Sequence, residues 1–381
     1  MKIKRNHSIL TGTNTMDEIY TLSRMPVHFG CVDFDTEEDI FMDQKFSICR
    51  ETGIIQINEF PSVDLLYLTH HNDAIGKIWN DLFDSIFCKI KEFMGNRCGI
   101  KILEIGGGSC RLAEKILTSG MDISQYVVYE PNPHNFSNEK YSNLKVVNEY
   151  YDSHASLDQS YDLILHSHVL EHVENPVDFL KNSTMHMNNN SFQIMVIPNL
   201  KETFSKKYTN SINFEHTFFM TEDFVDPLLN NAGIEVISKD YFLDHSIIYA
   251  LKLGDITNNV EIKNFFTEYS ILLNEFIDYH RSFVNFANKK VDNFNGDVFL
   301  FGAHIFSQYL IGFGLDTTKV KGILDNSPLK IGKRLYGTDL FVHNPKIIKD
   351  KKCAVILKVA TYRDEIKNQL FKINKNVTII E

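Results

Sequence analysis

Cysteine is scarce in this chain, and its spacing shows no pairing pattern. The six cysteines are scattered along 381 residues and no two form a CxxC pair: Cys31, Cys49, Cys88, Cys98, Cys110 and Cys353. The sequence therefore lacks both a disulfide framework and the cysteine spacing of a structural zinc site. We expect a reduced, cytoplasmic protein that holds no metal.

Two further absences narrow the class of partner. The chain has 39 Lys and Arg against 49 Asp and Glu, a net charge of −10, so it lacks the basic excess of a nucleic-acid-binding surface. No apolar run reaches membrane-spanning length, and polar Asn6 to Ser8 follow the basic start where a signal peptide needs an apolar core. We therefore expect a small-molecule substrate, no nucleic acid and no membrane, in a monomer or homodimer.

The chain is long and apolar enough for several packed cores. Its 381 residues exceed the usual length of a single core, and 43% of them are hydrophobic. A strand–helix alternation predicts an α/β protein with a doubly wound parallel sheet, preceded by an amphipathic helix over 74–95. The expected strands of that sheet lie at 101–105, 126–129, 145–148, 161–166, 192–197 and 234–251.

A second Rossmann-type unit is predicted in the last part of the chain. Its strands are expected at 298–301, 320–324, 354–357 and 377–380. His304 stands where a dinucleotide loop would place its second glycine, so this unit is expected to contribute to substrate binding rather than to hold NAD. The predicted division is a small N-terminal module with strands at 46–49 and 53–57 (1–75), the main α/β domain (76–254), a helical linker of one helix or a helix pair (255–296) and the second unit (297–381).

A glycine-rich loop is the strongest single signal. The apolar run Lys101 to Ile105 leads into Gly106, Gly107 and Gly108, and glycine is needed where a ligand approaches the backbone. Ser109 is expected to cap the helix that follows. A second strand ends at Glu130, the position of a ribose-binding acid. Arg111 replaces the third small residue of a dinucleotide fingerprint, which favours S-adenosylmethionine (SAM) over NAD.

The segment Tyr161 to Pro176 resembles the fourth-strand region of class I SAM-dependent methyltransferases. It has a hydrophobic run, then Leu170-Glu171-His172, then a short turn with proline before a helix. The resemblance implies a doubly wound Rossmann-like fold, and it implies that these residues lie at the cofactor: Glu104, Gly106, Gly107, Gly108, Glu130, Pro131 and His168. Histidines 166, 168 and 172 cross from strand to loop to helix without a carboxylate set, so they are not expected to bind metal.

Residues 212–219, with Glu215 and His216, resemble the corresponding segment of the sugar C-methyltransferases of deoxysugar pathways. Those proteins combine an N-terminal zinc module, a SAM domain and a C-terminal Rossmann-like domain. Here Ser8, Thr11, Cys49 and Thr52 occupy the places of the four zinc cysteines, so the module is expected to be free of metal. Phe214 replaces the first histidine of the family's His-Glu-His motif.

The resemblance implies three catalytic candidates. His216 is the expected general base, because histidine has an unperturbed pKa of about 6.5 and can accept a proton near neutral pH. Glu215 is its expected partner, and Tyr67 is a candidate for the acceptor side. His71 is expected to face the cofactor from the same segment as Tyr67.

The expected function is methyl transfer from SAM to a nucleotide-linked sugar or a related surface-glycan precursor. The sequence leaves open whether carbon or oxygen receives the methyl group. It also leaves open an O-methyltransferase of another small metabolite, a non-catalytic SAM-binding scaffold, and an NAD-linked sugar-modifying enzyme that would bind its cofactor at Gly302.

Overall fold

The computed structural model describes residues 2–381 except for 67–75, 133–140, 153–154, 156, 158–159, 211, 255–259 and 360–361. The described residues form a seven-stranded sheet, a five-stranded sheet, a three-stranded sheet and two strand pairs. The molecule is therefore mixed α/β, as the strand–helix alternation predicts. None of the described helices combines the length and the apolar character needed to cross a bilayer.

The N-terminal module is a small antiparallel structure. Its sheet has the order β2-β4-β5, and β1 pairs with β6 beside it. The two predicted strands are present, the first longer than expected and the second shorter. The module's elements are β1 Lys2–Lys4, β2 Met16–Pro26, β3 Cys31–Val32, β4 Phe41–Cys49, β5 Ile55–Ile57, β6 Glu59–Pro61 and α1 Val63–Leu66.

The edge of this module is joined to the main domain. The Ile57 amide donates to the Thr217 carbonyl (2.9 Å), and the Phe219 amide donates to the Ile55 carbonyl (2.8 Å). Residues 217–219 thus pair with β5 as an extra edge segment. This pairing fixes the position of the residues that immediately precede Thr217.

The main domain is built on the seven-stranded sheet, in the order β12-β13-β11-β10-β7-β8-β9. Five neighbouring strands, from β11 to β9, are parallel. The strands are β7 Ile100–Ile105, β8 Ile123–Tyr129, β9 Leu144–Val147, β10 Leu163–Ser167, β11 Phe192–Pro198, β12 Ile234–Phe242 and β13 Ser246–Leu253. The helices are α2 Lys77–Met94, α3 Arg111–Leu117, α4 Pro176–Thr184, α5 Leu200–Ser205 and α6 Glu222–Asn231.

The prediction of one strand over 234–251 is wrong. The segment folds back on itself as two antiparallel strands, with β13 inserted antiparallel between β11 and β12. Leu243 lies at the turn in the left-handed region (φ 51°), which an apolar residue seldom adopts. The turn residues 243–245 include neither glycine nor proline, so the sequence carries no strong turn signal there.

Helices α2 and α3 cover one face of the large sheet. The predicted helix over 74–95 is confirmed within the described residues as α2, and its residues Leu82, Ile86 and Ile90 are fully buried. They pack with Ile102 of β7 and Ile116 of α3. Burial of each such side chain contributes about 1.5–3 kcal/mol, so this layer holds the loop between β7 and α3 on a rigid base.

The C-terminal unit is a parallel sheet of order β17-β15-β14-β18-β19. It confirms the second strand rhythm predicted from the sequence, and the preceding linker is a single helix of 27 residues. The elements are α7 Phe266–Asp292, β14 Asp297–Phe301, α8 Ile305–Gly312, β15 Val320–Leu324, β16 Arg334–Leu335, β17 Val342–His343, β18 Cys353–Leu357, α9 Arg363–Ile373 and β19 Thr378–Ile380.

The N-terminal and C-terminal parts of the chain pack against each other. Strand β16 pairs antiparallel with β3. The guanidinium of Arg334 forms a buried ion pair with Asp39 (2.6 Å), with side-chain exposures of 6% and 1%. It also donates to the carbonyls of Phe34 and Asp35. The contact therefore places a fully hydrogen-bonded cation between two parts of the chain that are distant in sequence.

Candidate active site

The glycine loop follows β7 and leads into α3. Gly106 and Gly108 have positive φ angles of 76° and 51°, which only glycine adopts readily. A Cβ atom on Gly106 would lie 2.4 Å from the side chain of Val169, and one on Gly107 would lie 2.4 Å from that of Val128. The packing of the protein itself therefore requires these two glycines.

Gly108 differs from Gly106 and Gly107 because the space beside its Cα is open in the part of the chain that the structure describes. A Cβ atom there would meet no atom of the described residues within 4 Å. The side of the loop at Gly108 is thus open to a ligand.

The expected cap by Ser109 is wrong. The residue before the first helical turn is Cys110, which lies in the left-handed region (φ 56°) and makes no side-chain cap bond. The Cys110 amide donates to the Gly107 carbonyl (2.8 Å) and closes an extra turn, so the helix begins at Arg111.

Glu130 lies at the carboxyl end of β8 and faces the glycine loop. One of its oxygens accepts from the Gly108 amide (2.7 Å), and the other accepts from the Asn132 amide (2.9 Å). Each oxygen keeps a second lone pair with which it can accept from a hydroxyl group. The half-buried Pro131 follows directly.

Glu104 lies beneath the same loop and is nearly inaccessible, with 5% exposure. Its carboxylate accepts from the Tyr126 hydroxyl (2.7 Å). Burial raises the pKa of Glu104 to about 7, the hydrogen bond from Tyr126 opposes that rise, and the charge of Glu130 adds to it. A positively charged ligand group nearby would favour the ionised form of this carboxyl group.

His168 follows β10 and lies in the left-handed region, with φ 56°. Its two ring nitrogens lie 3.2 Å from the Ser167 hydroxyl and 3.1 Å from the Ser246 hydroxyl. The imidazole and the Trp79 ring form a T-shaped contact, with centroids 5.0 Å apart. Burial lowers the pKa of His168 well below its usual value, and neighbouring histidines lower it further. The imidazole is therefore neutral. Val169, the next residue, contacts Gly106, so His168 lies beside the glycine loop.

A small pocket, with a cavity volume of about 20 Å³, lies between the N-terminal module and the main domain. Its lining residues come from the end of β6, from α1, from the loop after β10 and from the segment that pairs with β5: Phe60, Pro61, Leu66, His172, Glu174, Glu215 and Thr217. Glu215 therefore faces a cavity. Tyr67 and His71 lie outside the described residues.

A tight turn presents Glu215 and His216. The amides of both residues donate to the Asn213 carboxamide oxygen, at 3.0 and 3.1 Å. Phe214, between Asn213 and Glu215, is fully buried in the core. The residue that replaces the family's first histidine is thus a packing residue, and Asn213 holds the turn that Glu215 and His216 form.

Two residues beside His216, namely His172 and Glu171, were missed as site candidates. The rings of His172 and His216 make an edge contact, with centroids 4.7 Å apart. Glu171 lies beside them at 3% exposure, and burial raises the pKa of its carboxyl group to about 8. The Leu-Glu-His run pointed to this loop, but only the fold brings it to the segment around His216.

The chemistry of this group is that of a candidate metal site. Glu171, His172 and His216 each offer one ligand atom, and these atoms lie within 4.8 Å of one another. Of the three histidines considered in the sequence analysis (166, 168 and 172), only His172 belongs to this group. His166 is buried in β10, where its Nε2 lies 2.7 Å from the Gln193 amide nitrogen.

Of the four residues compared above with zinc cysteines, Ser8, Cys49 and Thr52 belong to one hydrogen-bonded cluster. Burial raises the pKa of Cys49, but hydrogen bonds with Thr15, Thr52 and Ser8 outweigh this effect and lower it overall. The Thr15 hydroxyl lies 3.3 Å from the Cys49 sulfur. Thr11 is exposed. Three hydroxyl groups and one thiol do not fit a structural zinc ion, which takes thiolate and imidazole ligands.

The loop after β14 in the C-terminal unit resembles the loop at Glu130, since in both a loop amide donates to a carboxylate that follows the next strand. The Ala303 amide donates to the carboxylate of Asp325, at the end of β15, over 2.9 Å. Burial lowers the pKa of the adjacent His304 to about 4, with Lys330 adding to the effect and Asp325 and Glu215 opposing it. This loop is therefore close enough to Glu215 for their charges to interact.

Residues 78–239 match a protein family described as a methyltransferase domain. The match spans the glycine loop, Glu130, the Leu-Glu-His run and the turn at Glu215. It confirms the enzyme class predicted from the sequence, a methyltransferase, and its cofactor, SAM. No curated protein matches the chain.

Solved structures of methyltransferases show partial likeness to the chain. The Burkholderia thailandensis 1,6-didemethyltoxoflavin N1-methyltransferase, solved with that compound and S-adenosylhomocysteine, is 13% identical over 47% of this chain and 82% of its own, with a TM-score of 0.38. The N-methyltransferase NodS of Bradyrhizobium japonicum WM9 is 11% identical over 47% and 97%, also at 0.38. A SAM-dependent methyltransferase of Aquifex aeolicus is 17% identical over 45% and 89%, at 0.37. Likeness at this level carries no argument about the substrate.

Proposed function

We propose that the protein methylates a nucleotide-linked sugar or a related surface-glycan precursor, and that His216 removes the proton of the acceptor. The observation that carries the proposal is the turn at Asn213, which directs Glu215 into a pocket and holds His216 beside it. The second catalytic candidate, Tyr67, and the cofactor candidate His71 remain predictions from the resemblance.

The cofactor would lie over Gly108. This placement is supported by the open space above that residue and by Glu130, whose oxygens can accept from the ribose hydroxyls. The buried carboxyl group of Glu104 would face the positive end of the cofactor. Gly106 and Gly107 would form the loop beneath it, with Pro131 and His168 at its sides.

The reaction requires a nucleophile aligned with the sulfonium group. The acceptor proton would pass to a ring nitrogen of His216, and the released electron pair would attack the methyl carbon. The bond from carbon to sulfur breaks, and S-adenosylhomocysteine leaves. Holding the two reactants in line removes much of the entropic cost of this step. Glu215 would orient the acceptor or stabilise the imidazolium ion.

The nature of the acceptor follows from the three-part resemblance and from the C-terminal loop. That loop, with Asp325 and His304, lies near Glu215, so an extended acceptor could contact both the pocket and the C-terminal unit. A nucleotide-linked sugar has such a length. If carbon is methylated, the sugar must carry a keto group that makes the adjacent carbon acidic. If oxygen is methylated, a positioned hydroxyl suffices.

The test combines product analysis with a base-deletion variant. Wild-type protein and SAM are incubated with a panel of nucleotide sugars, and the products are examined for the mass gain of one methyl group. His216→Ala should lower turnover by about 100- to 10,000-fold, the usual range for loss of a general base, while SAM affinity stays close to that of wild type. Added imidazole should restore part of the activity, and the exposed His7→Ala serves as the histidine control.

Near-native turnover of His216→Ala would show that the base lies elsewhere, with Tyr67, His71 and His168 as the next candidates. SAM binding without a mass gain in any nucleotide sugar would favour either a different acceptor or a scaffold that retains the fold. These two results are distinct, because the first concerns the base and the second concerns the substrate.

A further inference from the structure

We propose that Glu171, His172 and His216 form a binding site for a divalent transition-metal ion, and that this ion and a proton on His216 exclude each other. The inhibition that follows rests on the proposed role of His216 as the base. The metal site itself rests only on the geometry of the three side chains.

The first observation is the convergence of three potential ligands, one carboxylate and two imidazoles, at one point. Glu171 and His172 lie in the short turn after β10, and His216 lies in the turn held by Asn213. Their ligand atoms are all within 4.8 Å of one another. Donors at opposite sides of a zinc ion are separated by at most about 4.2 Å, given bonds of roughly 2.1 Å. Side-chain shifts of under about 1 Å would therefore complete the site.

The second observation is an unsatisfied carboxylate oxygen. Oε2 of Glu171 is inaccessible, and among the described residues no donor bonds to it. The residue is 3% exposed, so water does not replace the missing partner readily. A buried acceptor without a partner costs about 1–3 kcal/mol. A cation bound beside the two imidazoles would satisfy this oxygen.

The ligand set selects the kind of metal. Two imidazoles and one carboxylate suit zinc, cobalt, nickel and ferrous iron, whereas magnesium and calcium prefer sets made of oxygen ligands. His172 also lines the pocket, so one coordination position of the ion would face the cavity and hold water. The carboxylates of Glu174 and Glu215 line the same pocket and favour a positive charge there.

The exclusion follows from the lone pair of the imidazole. A neutral histidine has one ring nitrogen with a free lone pair, and metal coordination uses it. A His216 ring bound to metal could not take the acceptor proton. Micromolar zinc would then act as a reversible inhibitor of methyl transfer, without occupying the proposed cofactor-binding site.

The binding arm of the test uses protein stripped with a chelator. Cys88 and Cys98 are exposed and could bind zinc adventitiously, so both are changed to serine in every protein tested. Calorimetry with zinc and the visible absorption of added cobalt should report one ion per chain, and magnesium should give no signal. Glu171→Gln should weaken zinc binding by about tenfold or more. Glu174→Gln, a carboxylate of the same pocket outside the set, should change it by less than about twofold.

Glu171→Gln is compared with His172→Gln, so that a single poorly folded variant does not decide the result, and both are checked by circular dichroism. The proposal is overturned if the stripped protein binds no zinc, or if both folded variants bind it as tightly as the parent. In the activity arm, zinc should inhibit and the chelator should restore turnover. Zinc binding at full turnover would overturn the exclusion, whereas near-native turnover of His216→Ala would overturn the proposed base and leave the metal site standing.

Discussion

Replacing Gly108 by valine directly tests the proposed cofactor-binding site at Gly108 and Glu130. The Cβ atom of the added side chain has no atom of the described part of the chain within 4 Å, so the cost to the fold comes mainly from the backbone angle of φ 51°. A non-glycine residue in the left-handed region costs about 1–2 kcal/mol. In the complex the same side chain would occupy space that the cofactor needs. Forcing methyl groups into a filled site costs about 1–3 kcal/mol, which corresponds to a Kd for SAM raised about 5- to 150-fold.

Glu130→Ala removes the carboxylate that is proposed to bind the ribose of the cofactor. The carboxylate accepts from the amides of Gly108 and Asn132 and, in the proposed complex, from the ribose hydroxyls. Hydrogen bonds to a charged group contribute about 1.5–3 kcal/mol, so SAM affinity should fall about 10- to 150-fold. Glu130→Gln keeps one acceptor oxygen and should lose less.

The measurement is calorimetric titration with SAM and with S-adenosylhomocysteine. Gly120→Val is the matched control, because Gly120 follows α3, has a positive φ of 84°, and a Cβ atom there would likewise meet none of the described residues within 4 Å. It should lose stability without losing SAM affinity. Undiminished binding by both Gly108→Val and Glu130→Ala would refute the placement of the cofactor. An equal loss of affinity in Gly120→Val would show that the effect on binding is one of general stability.

Two further predictions concern the N-terminal module. Arg334→Ala should lower the free energy of unfolding by about 3–5 kcal/mol, because it leaves the buried carboxylate of Asp39 without its partner. In denaturant titrations, Lys319→Ala, which breaks an exposed pair with Asp292, should cost less than about 1 kcal/mol, and equal losses in the two variants would contradict the account. The triple variant Ser8→Cys, Thr11→Cys and Thr52→Cys, together with the native Cys49, should bind zinc in the N-terminal module. The Tm of this variant should fall when a chelator removes the metal. A protein that keeps Ser8, Thr11 and Thr52 should hold no zinc in this module. The test uses Glu171→Gln, which weakens the separate site proposed at Glu171, and zinc found by elemental analysis would contradict the prediction.

The framework of the main domain is predictable because local sequence determines it. The strands at Ile100–Ile105 and Ile123–Tyr129 are mostly buried, and each contains a short apolar stretch that marks it in the sequence. The glycine loop between them needs positive φ angles and close packing, which few sequences other than glycine repeats satisfy. The linker helix was predictable for the same reason, since its buried residues recur at helical spacing over 27 residues.

The candidate site was less predictable, because it depends on contacts between distant segments. Glu171 and His216 are 45 positions apart, and their proximity requires the turn held by Asn213 and the pairing of Thr217 with β5. No periodicity in the sequence encodes that pairing. The cap at Cys110 was missed for a more local reason, since a left-handed cysteine is rare and serine is the commoner cap residue.

The N-terminal module is held in position by contacts with the rest of the chain. Its strand edge holds residues 217–219, and Phe60 and Pro61 form a wall of the pocket. The buried guanidinium of Arg5 donates to the Thr217 hydroxyl and to the Glu174 carbonyl, both at 3.1 Å, and so ties the module to two lining residues. Arg334 anchors the same module to the C-terminal unit. Because these contacts fix the wall from outside, a zinc ion within the module is not needed to hold Glu215 and His216 in place.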